Sequence, residues 1–318
     1  MQVNKKHLFC RTPYGFQMSQ YMQDIALFMG QACVFEEGEK IIKRLTGAEV
    51  SAKQIERIIH AYGELLEAGQ TKQEDELKPK QESLHHAMMD GGMIYTREDD
   101  WKEMKLARIF EAESLLPENE KRNFIRQSKY LAHLGGVQGF FRKLCAITDH
   151  LANMVWIADG ATWIWKWVEE NYPGSIQILD YFHCKEKLCG FAAEAFPDQI
   201  ERKQWVQQQE DLLFQDQALL VIANICLMSC KGKAKQLQRE LLTYYENNSK
   251  RMKYKTYRDK GLLIGSGAME AAHRHVIQQR MKLSGQRWTI AGAQQVANVR
   301  VADKSGEWDK ILNLINLN

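Results

Sequence analysis

Apolar positions recur at three- and four-residue spacing across residues 15 to 70, through FQMSQYMQDIALFMGQACVFEEGEKIIKRLTG and SAKQIERIIHAYGELLEAG. That period keeps one face of a helix apolar, so the region is read as helical. Gly47, after Leu45–Thr46, is the expected stop of one helix. Ser51, with Gln54 three residues on, forms the capping-box pattern that opens the next. Two helices joined by a short glycine turn are a helix-turn-helix arrangement, which also occurs as an ordinary helical packing unit. The polar, charge-rich run QTKQEDELKPKQES (70 to 83) then reads as a linker.

Beyond the linker the pattern changes. HHAMMDGGMIYTR is a strand pattern ending at a turn, and WKEMKLARIFEAESL reads as one or two further strands of a hairpin. Residues 119 to 148 are read as helical. MVWIADG is a short buried strand closing on an acid and a glycine, ATWIWKWVEENY a helix, and SIQILDYFH another buried strand ending in an acid. Such alternation predicts an α/β core with parallel pairing in part of its sheet. From about 185 to 260 only helical periods appear, as expected of an all-α insertion. GLLIGSGAMEAAHRHVIQQRMKLSGQRW follows: an apolar run, a glycine-rich turn and a long helix.

Composition changes this picture little. The 318 residues are 45% hydrophobic and 26% charged, the balance of a globular protein with a real core. No apolar run approaches the roughly 18 residues that span a bilayer. Seven scattered cysteines make no paired framework and point to reduced thiols in a cytoplasm. Cys226 and Cys230, four apart, lack two further ligands nearby, and buried apolar cysteines account for them. A net charge of +3 permits nucleic-acid binding without arguing for it.

The candidate chemistry lies in carboxylates. Asp90 stands in or just after the first strand, before Gly91–Gly92; Asp159 closes VWIAD; Asp180 closes SIQILD; Glu270 falls in the first turn of the helix after Gly265–Ser266–Gly267. Acids at strand ends and helix starts can meet at one edge of an α/β sheet. A few carboxylates plus substrate phosphate suffice for magnesium. Each acid also has a plainer account, as a turn former before glycine or as favourable charge at a helix start. Spacing does not choose among the four, and strand-end acids fit a glycoside hydrolase or phosphatase as well.

Four segments carry a more specific signal: DGGMIYTREDDWKEMKLARIF, IADGATWIWKWVEENYPGSIQILDYFH, IGSGAMEAAHRHVIQQRMKLSGQRW and AGAQQVANVR, in this order over roughly residues 85 to 300. In these the chain resembles bacterial insertion-sequence transposases of the ISKra type, of the ribonuclease-H-like DDE group related to Mutator-like elements. The resemblance implies a ribonuclease-H-like mixed sheet with flanking helices, interrupted by an all-α insertion and preceded by an N-terminal helical region. The expected boundaries are 1–80 for that region, 81–190 and 259–300 for the core, 191–258 for the insertion and 301–318 for a tail. It matches Asp90, Asp159 and Glu270 to the family's catalytic, metal-binding acids, holding two Mg²⁺ or Mn²⁺ ions. Asp180 and His183 match an LD-x-x-H signature in a supporting role. The implied activity is phosphodiester hydrolysis at transposon ends and strand transfer into target DNA, on double-stranded DNA and as a homodimer or larger assembly.

Beside Glu270, the cations Arg274, Arg280, Lys282 and Arg287 suit a phosphate backbone, and Trp288 offers a face to an unpaired base. KGKAKQ (231 to 236) and KRMKYKTYR (250 to 258) are further basic candidates. Trp163 and Trp167 share a helical face and are expected in the core. The start is short for the resembled family, and Cys10 alone cannot make a zinc module. The alternative is therefore a truncated, catalytically inactive relic that only binds DNA.

Overall fold

A computed structural model describes residues 16–73, 81–119 and 122–316. Three helices come first: α1 (Gln20–Ala32), α2 (Phe35–Thr46) and α3 (Ala52–Gln73). The single long period read before Gly47 breaks at Cys33–Val34, giving two helices where the pattern showed no stop. Gly47 ends α2 in the left-handed region, φ 71°, where glycine carries no Cβ penalty. The capping box also forms: Ser51 N donates to Gln54 Oε1 at 2.9 Å, and Gln54 N to Ser51 Oγ at 3.3 Å. Most of the expected linker, together with the N-terminal segment and Cys10, lies outside the described residues. At the linker's edges α3 runs on to Gln73 and a strand starts at Gln81, so its two ends are regular structure.

Strands β1 (Gln81–Thr96) and β2 (Asp100–Glu111) follow, then the small hairpin β3 (Leu115–Asn119) and β4 (Arg122–Ile125), then β5 (Lys129–Leu134). Among the described residues of the stretch 119 to 148, only α4 (Val137–Thr148) is helical. The charged run ENEKRNFIRQSK suggests a helix by composition, but β5 is recruited by pairing: it runs antiparallel to β2 with Met104 opposite Leu134 and Ile109 opposite Lys129. Cross-strand packing outweighs weak local preference here. Next come β6 (Leu151–Ala158), α5 (Thr162–Asn171) and β7 (Ile176–Leu179), with β6 and β7 parallel and Ala158 opposite Leu179. The strand read as closing at Asp180 ends at Leu179, and Asp180 caps α6 (Tyr181–Ala195). Helices α7 (Gln199–Leu213), α8 (Ala218–Leu227), α9 (Gly232–Asn248) and α10 (Tyr254–Asp259) complete the helical run. The glycine-rich turn leads into α11 (Gly267–Ala272), a π-helical segment His273–Gln278, and α12 (Gln279–Met281). Then come α13 (Ile290–Lys304) and α14 (Trp308–Asn316), so the expected tail from residue 301 begins within α13 and contains α14.

The protein is thus α/β, with a mixed five-stranded sheet in the order β5-β2-β1-β6-β7 and many helices. Among the described residues no helix is long and apolar enough to cross a membrane. The chain divides into two compact units. One comprises residues 1–85, 90–152 and 269–318, and the other residues 86–89 and 153–268.

In the first unit α13 is buried along nearly its whole circumference and packs on α3 and β5. Its polar side chains are matched inside: Gln294 Oε1 accepts from Leu134 N at 2.8 Å, and Asn298 Nδ2 donates to Gly63 O at 3.0 Å. At Gly63 the two helices approach so closely that a Cβ would overlap the Gln295 backbone. In the second unit, Tyr181, Cys184, Tyr245 and Tyr254 are core residues, with the Cys184 thiol bonded to Tyr245 Oη at 3.1 Å. Burial pushes the Cys184 thiol up to about 12, so it stays protonated and serves as packing.

Candidate functional site

In the first unit Asp90 occupies the middle of β1, not its end and not a turn. Its Oδ1 accepts from Gly91 N at 2.7 Å. Its Oδ2 lies 3.5 Å from His273 Nε2, an approach made possible by Gly92, where a Cβ would come within 3.0 Å of the His273 ring. The DGG pattern therefore records a close helix–strand approach where a turn was the plainer account. His273 is 4% exposed, and its Nε2 makes no hydrogen bond of good geometry beyond that approach to Asp90. Burial holds its pKa below the ordinary value, with the Asp90 carboxylate acting in the opposite sense. Glu270 is exposed, one helical turn before His273 on the same continuous helix. That helix starts at Gly267, so Glu270 is its fourth residue.

The π-helical segment that carries His273 has an identifiable support. Widening the helix breaks the i→i−4 ladder. Arg300 of α13, buried, donates through Nε to Val276 O at 2.5 Å and through its Nη atoms to the carbonyls of His275 and Gln31. One guanidinium thus satisfies acceptors on the π segment and on α1 together.

In the second unit Asp159 stands directly after β6, as expected. Its Oδ1 accepts from Ala161 N at 2.9 Å, and its carbonyl accepts from Trp165 Nε1 at 2.7 Å. Gly160 is required next to it, since a Cβ would enter the Tyr244 ring. Asp180 is 1% exposed and fully engaged. Oδ1 accepts from Phe182 N at 2.7 Å; Oδ2 accepts from Ser266 N at 3.0 Å and from the Ser266 hydroxyl, and His183 Nδ1 lies 3.0 Å away. Burial works against the ionised carboxyl, but the bonds from His183 and Ser266 outweigh it and hold the pKa below its usual value. With its lone pairs taken, Asp180 organises the start of α6 and orients the half-exposed His183 ring. Ser266 was missed from sequence; its signal is the hydroxyl between two glycines just before a helix.

The cationic candidates divide. Arg274, Lys282 and Arg287 are exposed. Arg280 and Trp288 are not on the surface: Arg280 donates from Nε to Gly30 O at 3.0 Å and lies between the Phe35 and Trp288 rings, while Trp288 Nε1 donates to Met281 O at 2.9 Å. In KRMKYKTYR, Arg251, Tyr254 and Tyr257 are buried, and Arg251 binds Gln177, Asn248 and Glu169. Tyrosines interleaved with cations there build a core. Trp167 is buried and Trp163 half-buried. Cys226 is exposed, contrary to expectation, and Cys230 lies beyond the end of α8.

Among the described residues no group of three His, Cys, Asp or Glu side chains is assembled to hold a metal ion. The site residues fall to different units, Asp90 and Glu270 in the first and Asp159, Asp180 and His183 in the second. Neither family models nor curated proteins give a match to this chain.

Proposed function

We propose that the protein is a DDE-type DNA transposase with a ribonuclease-H-like core, of the kind its four sequence segments resemble. The observation that carries this reading is the seating of Asp90 against the helix of Glu270, with His273 Nε2 at 3.5 Å from the Asp90 carboxylate. The first and last acids of the resembled triad thereby share one compact unit. Asp159, after the first strand of the parallel pair β6–β7, stands where α/β sheets place ligand-binding groups. A mixed sheet with flanking helices and an all-helical run after β7 is in keeping with the ribonuclease-H-like expectation.

The donor set suits a hard divalent cation. Asp90, Asp159 and Glu270 offer oxygen, and the Asp90 carboxylate, with His273 Nε2 3.5 Å from its Oδ2, is held in a fixed direction. Asp90, Asp159 and Glu270 would hold two magnesium or manganese ions, which when bound activate an attacking oxygen and stabilise a leaving one. His273 packs behind the Asp90 carboxylate and fixes its direction. Asp180 holds His183 and Ser266 at the start of α6, a supporting arrangement. Arg274, Lys282 and Arg287 are the outward cations available to a DNA backbone. Paired transposon ends call for a homodimer or larger assembly.

The test is cleavage of the element's terminal repeats in Mg²⁺ or Mn²⁺. Asp90→Ala, Asp159→Ala and Glu270→Ala are each expected to abolish it while leaving salt-sensitive DNA binding intact. Cleavage that survives all three substitutions overturns the site. Binding without cleavage by the unaltered chain, under either metal, replaces this reading with that of a DNA-binding relic.

A further inference from the structure

The first unit contains a cavity of about 460 Å³ that the metal reading does not use. That volume lies within the roughly 300–1,000 Å³ range of small-molecule sites. Arg280, 1% exposed, forms part of its wall. Its Nε is spent on Gly30 O and its Cζ lies 4.7 Å from the Phe35 ring centroid and 5.1 Å from that of Trp288, yet Nη2 has no hydrogen-bond partner. A buried guanidinium N–H left without an acceptor is destabilising, and an incoming oxygen removes that penalty. Burial lowers the Arg280 pKa to about 10, so the group remains charged at neutral pH.

Two further guanidiniums, Arg97 and Arg287, line the same cavity from exposed positions, and Arg97 Nε donates to Arg287 O at 3.3 Å. Lys53 at the rim is neutralised by Glu56 at 2.7 Å, so the three arginines face only Glu36 as an uncompensated acid. The backbone adds to this balance. The first turns of three long helices line the cavity: α2 through Phe35 and Glu36, α3 through Ala52 and Lys53, and α13, capped by Thr289, through Gly292. Two of these starts already hold a carboxylate, Glu39 Oε2 accepting from Ala52 N at 2.8 Å and Glu98 from Ile290 N at 3.2 and 3.3 Å, so the uncapped start is that of α2, where Val34 provides no side-chain cap.

We propose that this cavity binds a phosphate ester, with Arg280 on its wall and Arg97 and Arg287 closing over it. Planar forks that donate in pairs match phosphate oxygens better than they match a halide or a neutral ligand. The phosphate belongs either to a DNA backbone or to a free nucleotide. The proposal is independent of the metal reading, because it concerns neither Asp90, Asp159 nor Glu270.

The experiment is calorimetric titration of the full chain with inorganic phosphate, compared with the double variant Arg97→Ala/Arg287→Ala and with Arg280→Lys. Both rim arginines are exposed, so the double variant is expected to fold even if a change at buried Arg280 does not. Saturable binding that weakens about tenfold or more in the double variant supports the proposal, the factor expected from losing a charge-assisted hydrogen bond. Binding that does not saturate, or that is equal in the double variant, overturns it. Displacement of phosphate by a short DNA duplex assigns the backbone, and displacement by a nucleoside monophosphate assigns the nucleotide. Displacement by neither overturns the phosphate-ester assignment.

Discussion

His133 gives the sharpest quantitative test of the first unit's packing. It sits on β5 opposite Lys105 of β2, with Nδ1 at 3.5 Å from Lys143 Nζ, and Lys143 is itself bonded to Glu67 of α3. Gly139 leaves room for the other edge of the ring, since a Cβ there would come 2.6 Å from His133 Nε2. Burial, and then the Lys143 charge, lower the His133 pKa from an ordinary 6.5 to about 4; Glu67 opposes them, while Lys105 and Arg142 add to them. The folded state therefore keeps this ring neutral where the unfolded chain protonates it. Between pH 6.5 and 4 the unfolded state binds more protons, so the contribution is complete above pH 6.5 and is lost as pH falls towards 4. At about 1.4 kcal/mol per pH unit, and trimmed for a half-buried ring, the loss between pH 7 and pH 5 comes to about 1–2 kcal/mol. The assay is urea unfolding at a series of pH values for the native chain and His133→Gln. The native chain is expected to lose that much more stability than the variant over this interval. Parallel curves would refute the reasoning and show the ring to be solvated.

Three further outcomes follow from named contacts. Gly63→Ala forces a methyl against the Gln295 backbone and is expected to cost about 1–3 kcal/mol in thermal unfolding; an unchanged midpoint would mean that α3 and α13 can separate freely. Arg300→Met leaves the carbonyls of Val276, His275 and Gln31 without their donor and is expected to cost about 3 kcal/mol or more; a loss below about 1 kcal/mol would show that the π segment does not depend on it. Gly160→Ala drives a methyl into the Tyr244 ring beside Asp159 and is expected to lower the proposed DNA cleavage by about a hundredfold, with partial recovery in the added Tyr244→Ala background; unaltered cleavage in the single variant refutes the packing.

What the sequence made legible was local. The Ser51–Gln54 box, the Gly47 stop and the acids after VWIA and SIQIL depend on a few neighbouring residues, and all stand where their spacing placed them. Pairing partners are not local. β5 owes its existence to β2, and Asp90–Gly91–Gly92 stays extended because His273, far along the chain, packs against it. Neither signal can be seen within a short window.

Charge misled for a different reason. Arginine carries five donors on a long apolar stem, so it can enter a core wherever carbonyls need partners. Arg251, Arg280 and Arg300 do this, reaching Asn247 O, Gly30 O and Val276 O respectively. A basic run in the sequence is therefore a mixture of inward and outward groups, and only burial separates them. In the helix after Glu270 and the turn beyond it, the separation leaves Arg274, Lys282 and Arg287 facing outward, while Arg280 is taken into the wall of the cavity.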